Sequence, residues 1–206
     1  MLFRSAVREF REKPKPGEEV DTNLINAGVY VLEREVLNLV PEDSDVMFER
    51  SVFPQLVGNG LYGFPSNAYW LDIGTPERYI EATADLIGGE IATPLGGVIG
   101  SVAQRNSKPA ALVSAEATVD DSAVVDGSWI APKAKIAERA HVTRSAVHVG
   151  ATIEAGAVVD SAIIAPGAVV GAGARVNVHA VIGPNERIGD GVVVAAGERV
   201  PPLAPR

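Results

Sequence analysis

Residues 147–182 read VHVGATIEAGAVVDSAIIAPGAVVGAGARVNVHAVI and decide the fold of this chain. An aliphatic residue recurs after five or six positions, and a small residue follows most of these four positions later. The pattern fits a short strand with one inward aliphatic side chain, followed by a turn that has room only for a small one. Tandem units of this kind predict a parallel β-helix. The inward series is Val147, Ile153, Val159, Ile164, Val170, Val176 and Ile182.

The same pattern runs from Val113 to Val200. Up to Ile164 the steps are six, six and five residues, which gives a coil of 17, and beyond Ile164 every step is six. An antiparallel sandwich is the alternative, but it does not generate fifteen near-regular steps. We therefore predict three strands in each of five coils: Val113–Trp129, Ile130–Ala146, Val147–Ile163, Ile164–Val181 and Ile182–Arg199.

The composition excludes several classes of partner and site. A formal net charge of -8 leaves no basic surface for nucleic acid or an anionic membrane, although a small phosphorylated ligand needs only one or two local cations. The chain has no cysteine, and therefore no disulfide, thiolate zinc site or cysteine nucleophile. No stretch has the pattern of a membrane span or a signal peptide. These features predict a cytoplasmic protein.

The N-terminal part, residues 1–95, has a different composition and contains all five phenylalanines and all four tyrosines. We predict strands at 6–10 and 27–32 and helices around 33–39 and 76–87. Thr75 is placed to cap the last helix, and Gly88-Gly89 to end it. Strands mixed with helices predict an α/β or α+β unit. Residues 96–112 are then a linker, and 113–206 the β-helix.

Four short clusters in this part carry polar groups beside apolar ones. They are Glu12-Lys13-Pro14, Asn26-Ala27-Gly28, Glu49 in Phe48-Glu49-Arg50, and Asp72 in Trp70–Pro76. Each alone has an ordinary explanation, such as a solvated surface ion pair or a turn-forming aspartate before a helix. The order and spacing of the four clusters as a set have no such ordinary explanation.

The set resembles the sugar-1-phosphate nucleotidyltransferases, and within them mannose-1-phosphate guanylyltransferases and related NDP-sugar synthases. The matching motifs are Phe-x-Glu-Lys-Pro, Ile-Asn-Ala-Gly-x-Tyr-x-Leu, Phe-Glu-Arg-x-Val-Phe-Pro and Trp-x-Asp-Ile-Gly-Thr-Pro-Glu-x-Tyr. Such enzymes commonly carry a C-terminal hexapeptide β-helix. The resemblance thus implies an α/β nucleotidyltransferase remnant, with a mixed sheet and helices, followed by a β-helix that is left-handed.

The resemblance also implies a chemistry and a role for each motif. These enzymes transfer a nucleotidyl group from an NTP to a sugar 1-phosphate, with Mg²⁺ offsetting charge on the phosphate oxygens. Lys13 would bind the sugar phosphate and, with Asp72, serve catalysis, while Asp72 would be one of two aspartates on Mg²⁺. The sugar itself would be bound by Glu12, Asn26, Gly28 and Glu49.

The sequence departs from the family in one respect. The Gly-rich loop Gly-Gly-x-Gly-Thr-Arg-Leu, which cradles the NTP phosphates, has no counterpart, because Gly96-Gly97-Val98-Ile99-Gly100 follows the catalytic region and lacks its basic residue. We expect that the chain begins inside the catalytic domain, and that the second metal ligand lies in the missing half. The chain alone would then be inactive, and would bind NTP only if that half is supplied. The sugar and the base stay open.

Two other functions remain as alternatives. One is a non-catalytic regulatory subunit that uses the β-helix to form a homo-oligomer, an assembly that the main hypothesis shares. The other is a hexapeptide-repeat acyltransferase, which needs a histidine base. His141, His148 and His179 occupy different positions in their hexapeptides, and no partner motif surrounds them. We therefore predict that these histidines are surface or corner residues.

Overall fold

A computed structural model describes residues 5–10, 17, 24–89 and 111–201. The chain forms two compact units, Met1–Trp70 and Leu71–Arg206. The domain limits expected at 95 and 112 are based on motifs and repeats. The division into compact units is different, because the helix after Trp70 belongs to the same unit as the coils. Within the described residues, no helix has the length and apolar character needed to cross a membrane.

The first unit is small and has a core built around one aromatic residue. It contains one antiparallel pair of strands, β1 (Ser5–Ala6) and β2 (Tyr62–Gly63), a 3-10 helix (Arg34–Leu39), and helices α1 (Phe48–Ser51) and α2 (Phe53–Leu56). Phe53 is buried, and the rings of Phe10, Tyr30 and Phe48 pack around it at centroid distances of 5.3, 4.7 and 5.8 Å. These four rings, together with the buried Val52, therefore form its core.

The strand predicted at 27–32 is wrong, since these residues pair with no other strand in the described part of the chain. Val29 and Val31 are 83% and 100% exposed, and neither makes a hydrogen bond there. The physical reason is that a strand exists only through its partner's main chain. The strand predicted at 6–10 is likewise reduced to Ser5–Ala6, while the helix predicted around 33–39 is confirmed as a 3-10 helix.

The second unit contains the predicted parallel β-helix of about five coils, built from three parallel sheets. The first sheet consists of β3 (Leu112–Val113), β6 (Trp129–Ile130), β9 (Ala146–Val147), β12 (Ile163–Ile164), β15 (Val181–Ile182) and β18 (Arg199–Val200). The second consists of β4 (Thr118–Val119), β7 (Lys135–Ile136), β10 (Thr152–Ile153), β13 (Val169–Val170) and β16 (Arg187–Ile188). The third consists of β5 (Val124–Asp126), β8 (His141–Thr143), β11 (Val158–Asp160), β14 (Arg175–Val176) and β17 (Val193–Val194).

The inward aliphatic residues stack in register, as the repeat predicts. In the first sheet Ile130, Val147, Ile164 and Ile182 follow one another from coil to coil and are fully buried. Each such side chain contributes about 1.5–3 kcal/mol relative to an exposed one. The interior of the coils is therefore a continuous apolar column.

The five-residue step of the shorter coils lies at a corner where buried serine hydroxyls form hydrogen bonds with the main chain. The Ser145 hydroxyl donates to the Thr143 carbonyl at 2.7 Å and accepts from the Ala162 N–H at 3.0 Å. Ser128 holds the Ser145 N–H in the same way at 3.0 Å. These hydroxyls satisfy main-chain N–H groups that face no carbonyl of the neighbouring coil.

Helix α3 (Pro76–Gly88) begins and ends as the sequence predicts. The Thr75 hydroxyl accepts from the Arg78 N–H at 3.4 Å, and Gly89, with φ of 79°, closes the helix in the left-handed region. The helix packs on the outward side of the first sheet, where Ile163 and Val181 face it. This outward column is apolar along five coils: Leu112, Trp129, Ala146, Ile163 and Val181.

Candidate functional site

The structure brings together three of the predicted sugar-binding residues in the first unit. Asn26, Gly28 and Glu49 are joined by a hydrogen-bond chain that passes through the hydroxyl of Tyr30. The Gly28 N–H lies 3.1 Å from Asn26 Oδ1, and the Tyr30 hydroxyl lies 2.9 Å from Glu49 Oε1. The remaining link joins Asn26 Nδ2 to the Tyr30 hydroxyl.

The chemistry of these groups determines which of them donates and which accepts in each hydrogen bond. A main-chain N–H can only donate, so the Asn26 carbonyl oxygen faces Gly28 and its NH₂ group faces Tyr30. The phenolic oxygen therefore accepts from Asn26, and its proton is donated to Glu49. An ionised carboxylate only accepts hydrogen bonds. The hydrogen bonds therefore run in one direction, from Asn26 through Tyr30 to Glu49, whichever end is considered first.

Gly28 is needed for its backbone conformation rather than for space. Its φ is +71°, and a Cβ atom added to it would meet no atom within 4 Å. In this left-handed conformation the Gly28 N–H turns back onto the side chain two residues earlier, as in an Asx turn. The glycine thereby orients the Asn26 amide.

Two aromatic residues hold the main chain of this segment. The Trp70 indole N–H donates to the Ala27 carbonyl at 3.3 Å, and the Tyr30 ring packs on the buried ring of Phe53. The network itself is open to solvent, because Asn26 is exposed and Glu49 is half-buried. A ligand can therefore reach it.

Two of the predicted site residues cannot be placed against this network. Lys13 and Glu12 lie outside the described residues. Their phosphate-binding and sugar-binding roles remain predictions.

Asp72 belongs to the second unit, in the loop before α3. Its Oδ1 accepts from the Gly74 N–H at 2.9 Å, which fixes the carboxylate and leaves Oδ2 available. In the described part of the chain no three potential ligands cluster as a complete metal site. Mg²⁺, however, takes one or two carboxylates beside water and phosphate oxygens. Asp72 fits one such ligand.

Two histidines face α3 rather than solvent alone. The Tyr79 hydroxyl lies 3.2 Å from His148 Nε2, and the Trp129 ring stands edge-on to His148 at 5.0 Å. Burial lowers the pKa of His148 below its ordinary 6.5 and raises the pKa of Tyr79 above 10. His148 thus lies half-buried where β9 gives way to a corner of the coil, as predicted, and its ring Nε2 is in addition engaged by the helix.

The start of α3 carries a further contact with the coils. Glu77 Oε1 lies 3.6 Å from Nδ1 of His179, a corner residue with φ of 62°. The pKa of Glu77 is lowered first by its own main-chain N–H, then by the Thr75 hydroxyl and the charges of His179 and Arg199. Both contacts tie the helix to the β-helix within one unit.

Sequence reasoning missed Tyr30 and Tyr79, although both lie in the quoted motifs. The predicted residues are charged groups and an amide, whereas the hydroxyls of these tyrosines form hydrogen bonds with other side chains.

Two family models match this chain. Residues 3–88 match the family described as nucleotidyl transferase, and residues 107–202 match the GMPPB C-terminal domain. These two matches support the resemblance to a sugar-1-phosphate nucleotidyltransferase with a C-terminal β-helix. The first lies in the N-terminal part of the chain and the second in the C-terminal part.

The relatives include enzymes with different names within this family. A mannose-1-phosphate guanylyltransferase of Mycobacterium tuberculosis is 42% identical over 80 residues, which are 37% of this chain and 22% of that protein. A UTP–glucose-1-phosphate uridylyltransferase of Synechocystis is 34% identical over 84 residues, 40% of this chain and 21% of that protein. The matched part thus spans about a fifth of these relatives' length.

A solved structure shows a limited likeness to this chain. The acetyltransferase domain of PglB from Neisseria gonorrhoeae, in complex with acetyl coenzyme A, is 24% identical with a TM-score of 0.29, covering 44% of this chain and 51% of that one. A superposition of this quality carries no argument about activity.

Proposed function

We propose that this chain supplies the sugar-phosphate-binding part of an enzyme that makes an NDP-sugar from an NTP and a sugar 1-phosphate, of the GDP-mannose type. The observation that carries the proposal is the directed network Asn26–Tyr30–Glu49, which lies in the segment matched by the nucleotidyl transferase family. A carboxylate that accepts and an amide that donates complement the hydroxyls of a sugar.

Each residue then has a distinct task. Glu12, Asn26, the main chain at Gly28 and Glu49 bind and orient the sugar, while the Lys13 ammonium binds its phosphate. In this arrangement the sugar phosphate oxygen is aimed at the α-phosphorus of the NTP, so the protein contributes positioning and electrostatics. Asp72 would hold Mg²⁺, which when bound offsets the negative charge on the phosphate oxygens.

The remaining parts of the proposal concern the whole protein. The 206 residues contain no Gly-rich loop of the Gly-Gly-x-Gly-Thr-Arg-Leu kind, so the polypeptide assayed alone should not transfer a nucleotidyl group. NTP and a second metal ligand would be contributed by a nucleotide-binding half. The β-helix would assemble the protein as a homo-oligomer, in the cytoplasm, without nucleic acid or membrane as partner.

A binding titration tests the proposal. Isothermal calorimetry of the 206-residue chain with mannose 1-phosphate and glucose 1-phosphate should detect binding that Lys13→Ala and Glu49→Gln weaken. Arg8→Ala is a matched control, because it removes a cation of the same unit outside the proposed site. Absence of binding to either sugar phosphate would overturn the proposal in favour of a regulatory subunit. Acetyl-CoA binding lost on His141→Ala or His148→Ala would favour an acyltransferase instead.

A further inference from the structure

The hydroxyl of Tyr30 hydrogen-bonds with both Asn26 and Glu49. It was not among the predicted sugar-binding residues, and no role follows for it from the charge or amide chemistry of the motifs. Its placement nevertheless decides how the other two side chains can meet a ligand.

We propose that Tyr30 is a positioning residue that holds Asn26 and Glu49 in the orientation in which they bind the sugar, an inference that rests on the proposed function. Its hydroxyl occupies one N–H of the Asn26 amide and one lone pair of Glu49 Oε1. What remains for a ligand is one amide donor on Asn26 and, on Glu49, both lone pairs of Oε2 and the second lone pair of Oε1.

This remaining set selects a class of ligand. A sugar hydroxyl donates one proton and accepts another, so a single hydroxyl, or two neighbouring ones, can satisfy the Asn26 donor and the Glu49 acceptors together. A bare anion cannot, because a carboxylate repels it. The network therefore recognises the polyol part of a sugar phosphate, and the phosphate must be bound by other groups.

The position of the Tyr30 hydroxyl is set by the core of the unit rather than by the exposed loop. The Tyr30 ring lies 4.7 Å from the ring of Phe53, which is 1% exposed, and Phe10 and Phe48 complete the packing. A phenylalanine at position 30 would keep this packing and lose only the hydroxyl. Tyr30→Phe is thus expected to fold and to isolate the positioning effect.

The test is calorimetric titration of mannose 1-phosphate or glucose 1-phosphate, whichever binds the wild-type chain, into Tyr30→Phe, Glu49→Gln and the double variant. Tyr30→Phe should weaken sugar-phosphate binding by about tenfold. The double variant should lose less binding free energy than the sum of the two single losses, because part of the Tyr30 effect passes through Glu49. Tyr62→Phe, which removes a tyrosine hydroxyl from β2, is the matched control and should bind as the wild type does.

Binding of inorganic phosphate distinguishes a positioning effect of Tyr30→Phe from a general loss of structure at the site. Its affinity, followed by ³¹P NMR, should be the same for Tyr30→Phe and wild type, whereas a misfolded site would lose both ligands. If wild type binds sugar phosphate and Tyr30→Phe binds it equally well, the positioning role is overturned and the proposed function stands. Fully additive losses in the double variant would also overturn it, since Tyr30 would then touch the sugar itself. If wild type binds no sugar phosphate, the proposed function and this role fail together.

Discussion

The hydroxyl of Tyr79 in α3 lies 3.2 Å from Nε2 of His148 in the β-helix, so the helix packs against a titratable ring. Burial lowers the pKa of His148, so the folded chain disfavours the imidazolium that the unfolded chain readily forms. A depressed histidine pKa gives stability that is present above the ordinary value of 6.5 and is lost as the pH falls from there through the folded value.

We therefore predict that acidification from about pH 8 to about pH 5 lowers the free energy of unfolding of the second unit through His148. Trp129 reports the change, because its ring contacts His148. Its fluorescence, measured in a Trp70→Phe background during denaturation, should show a pH dependence that His148→Gln removes. The Glu77 carboxylate acts in a separate range, below its ordinary 4.5. An unchanged pH profile in His148→Gln would show that another group is responsible.

Removal of one buried serine hydroxyl should destabilise the coils. Ser145→Ala leaves the buried Ala162 N–H without an acceptor, which costs about 1–3 kcal/mol. Chemical denaturation monitored by circular dichroism measures the loss. Ser114→Ala is the control, because the Ser114 hydroxyl accepts from an exposed Glu116 N–H and its loss should change stability by less than about 0.5 kcal/mol. Equal effects of the two substitutions would contradict the proposed role of the corner.

Two nearby glycines should respond differently to alanine. A Cβ on Gly171 would lie 2.7 Å from the Ile188 carbonyl and 2.8 Å from the Asp190 N–H, both main-chain groups of the next coil. Gly173 has φ of +65° but open space around it, so alanine there meets only conformational strain. We expect Gly171→Ala to cost about 2–3 kcal/mol and Gly173→Ala about 1–2 kcal/mol. Thermal unfolding of both variants checks the order, and the reverse order would mean that the next coil shifts freely.

The unpaired segment around Val31 should promote self-association. Val31 is fully exposed, and its main chain has no hydrogen-bond partner in the described residues, so it offers an edge to another chain. Val31→Lys should lower the fraction of large species in light scattering without lowering the melting temperature. Val124→Lys is the matched control on a paired strand of the β-helix. If Val124→Lys suppresses association as well as Val31→Lys does, general surface charge explains the effect.

The β-helix could be predicted from the sequence because its determinants are local and repeated. An inward residue such as Val159 meets equivalents of itself in the coils above and below, so position in the repeat fixes its environment. The segment around Val29 could not be predicted in the same way. Its apolar composition suits a strand, but strand formation depends on a partner that composition does not reveal.

The candidate site was predicted in part for a similar reason. Asn26 and Glu49 have side chains that suggest ligand binding by their chemistry, and the structure joins them. Tyr30 and His148 derive their roles from what lies next to them, which one sequence does not show. A weaker signal existed for α3, because the outward positions Trp129, Ile163 and Val181 are apolar where a bare solenoid would carry polar groups.

The packing of α3 on the first sheet has a consequence for how this architecture can be divided and inherited. The family match to the nucleotidyl transferase ends at residue 88, yet the compact unit that contains the coils begins at Leu71. A gene fusion that exchanged solenoids at the junction after residue 88 would leave the apolar column uncovered and separate the Asp72 loop from its support. We therefore expect an exchange of solenoids to preserve the fold only when its junction lies upstream of Leu71, so that α3 and the Asp72 loop stay with the coils.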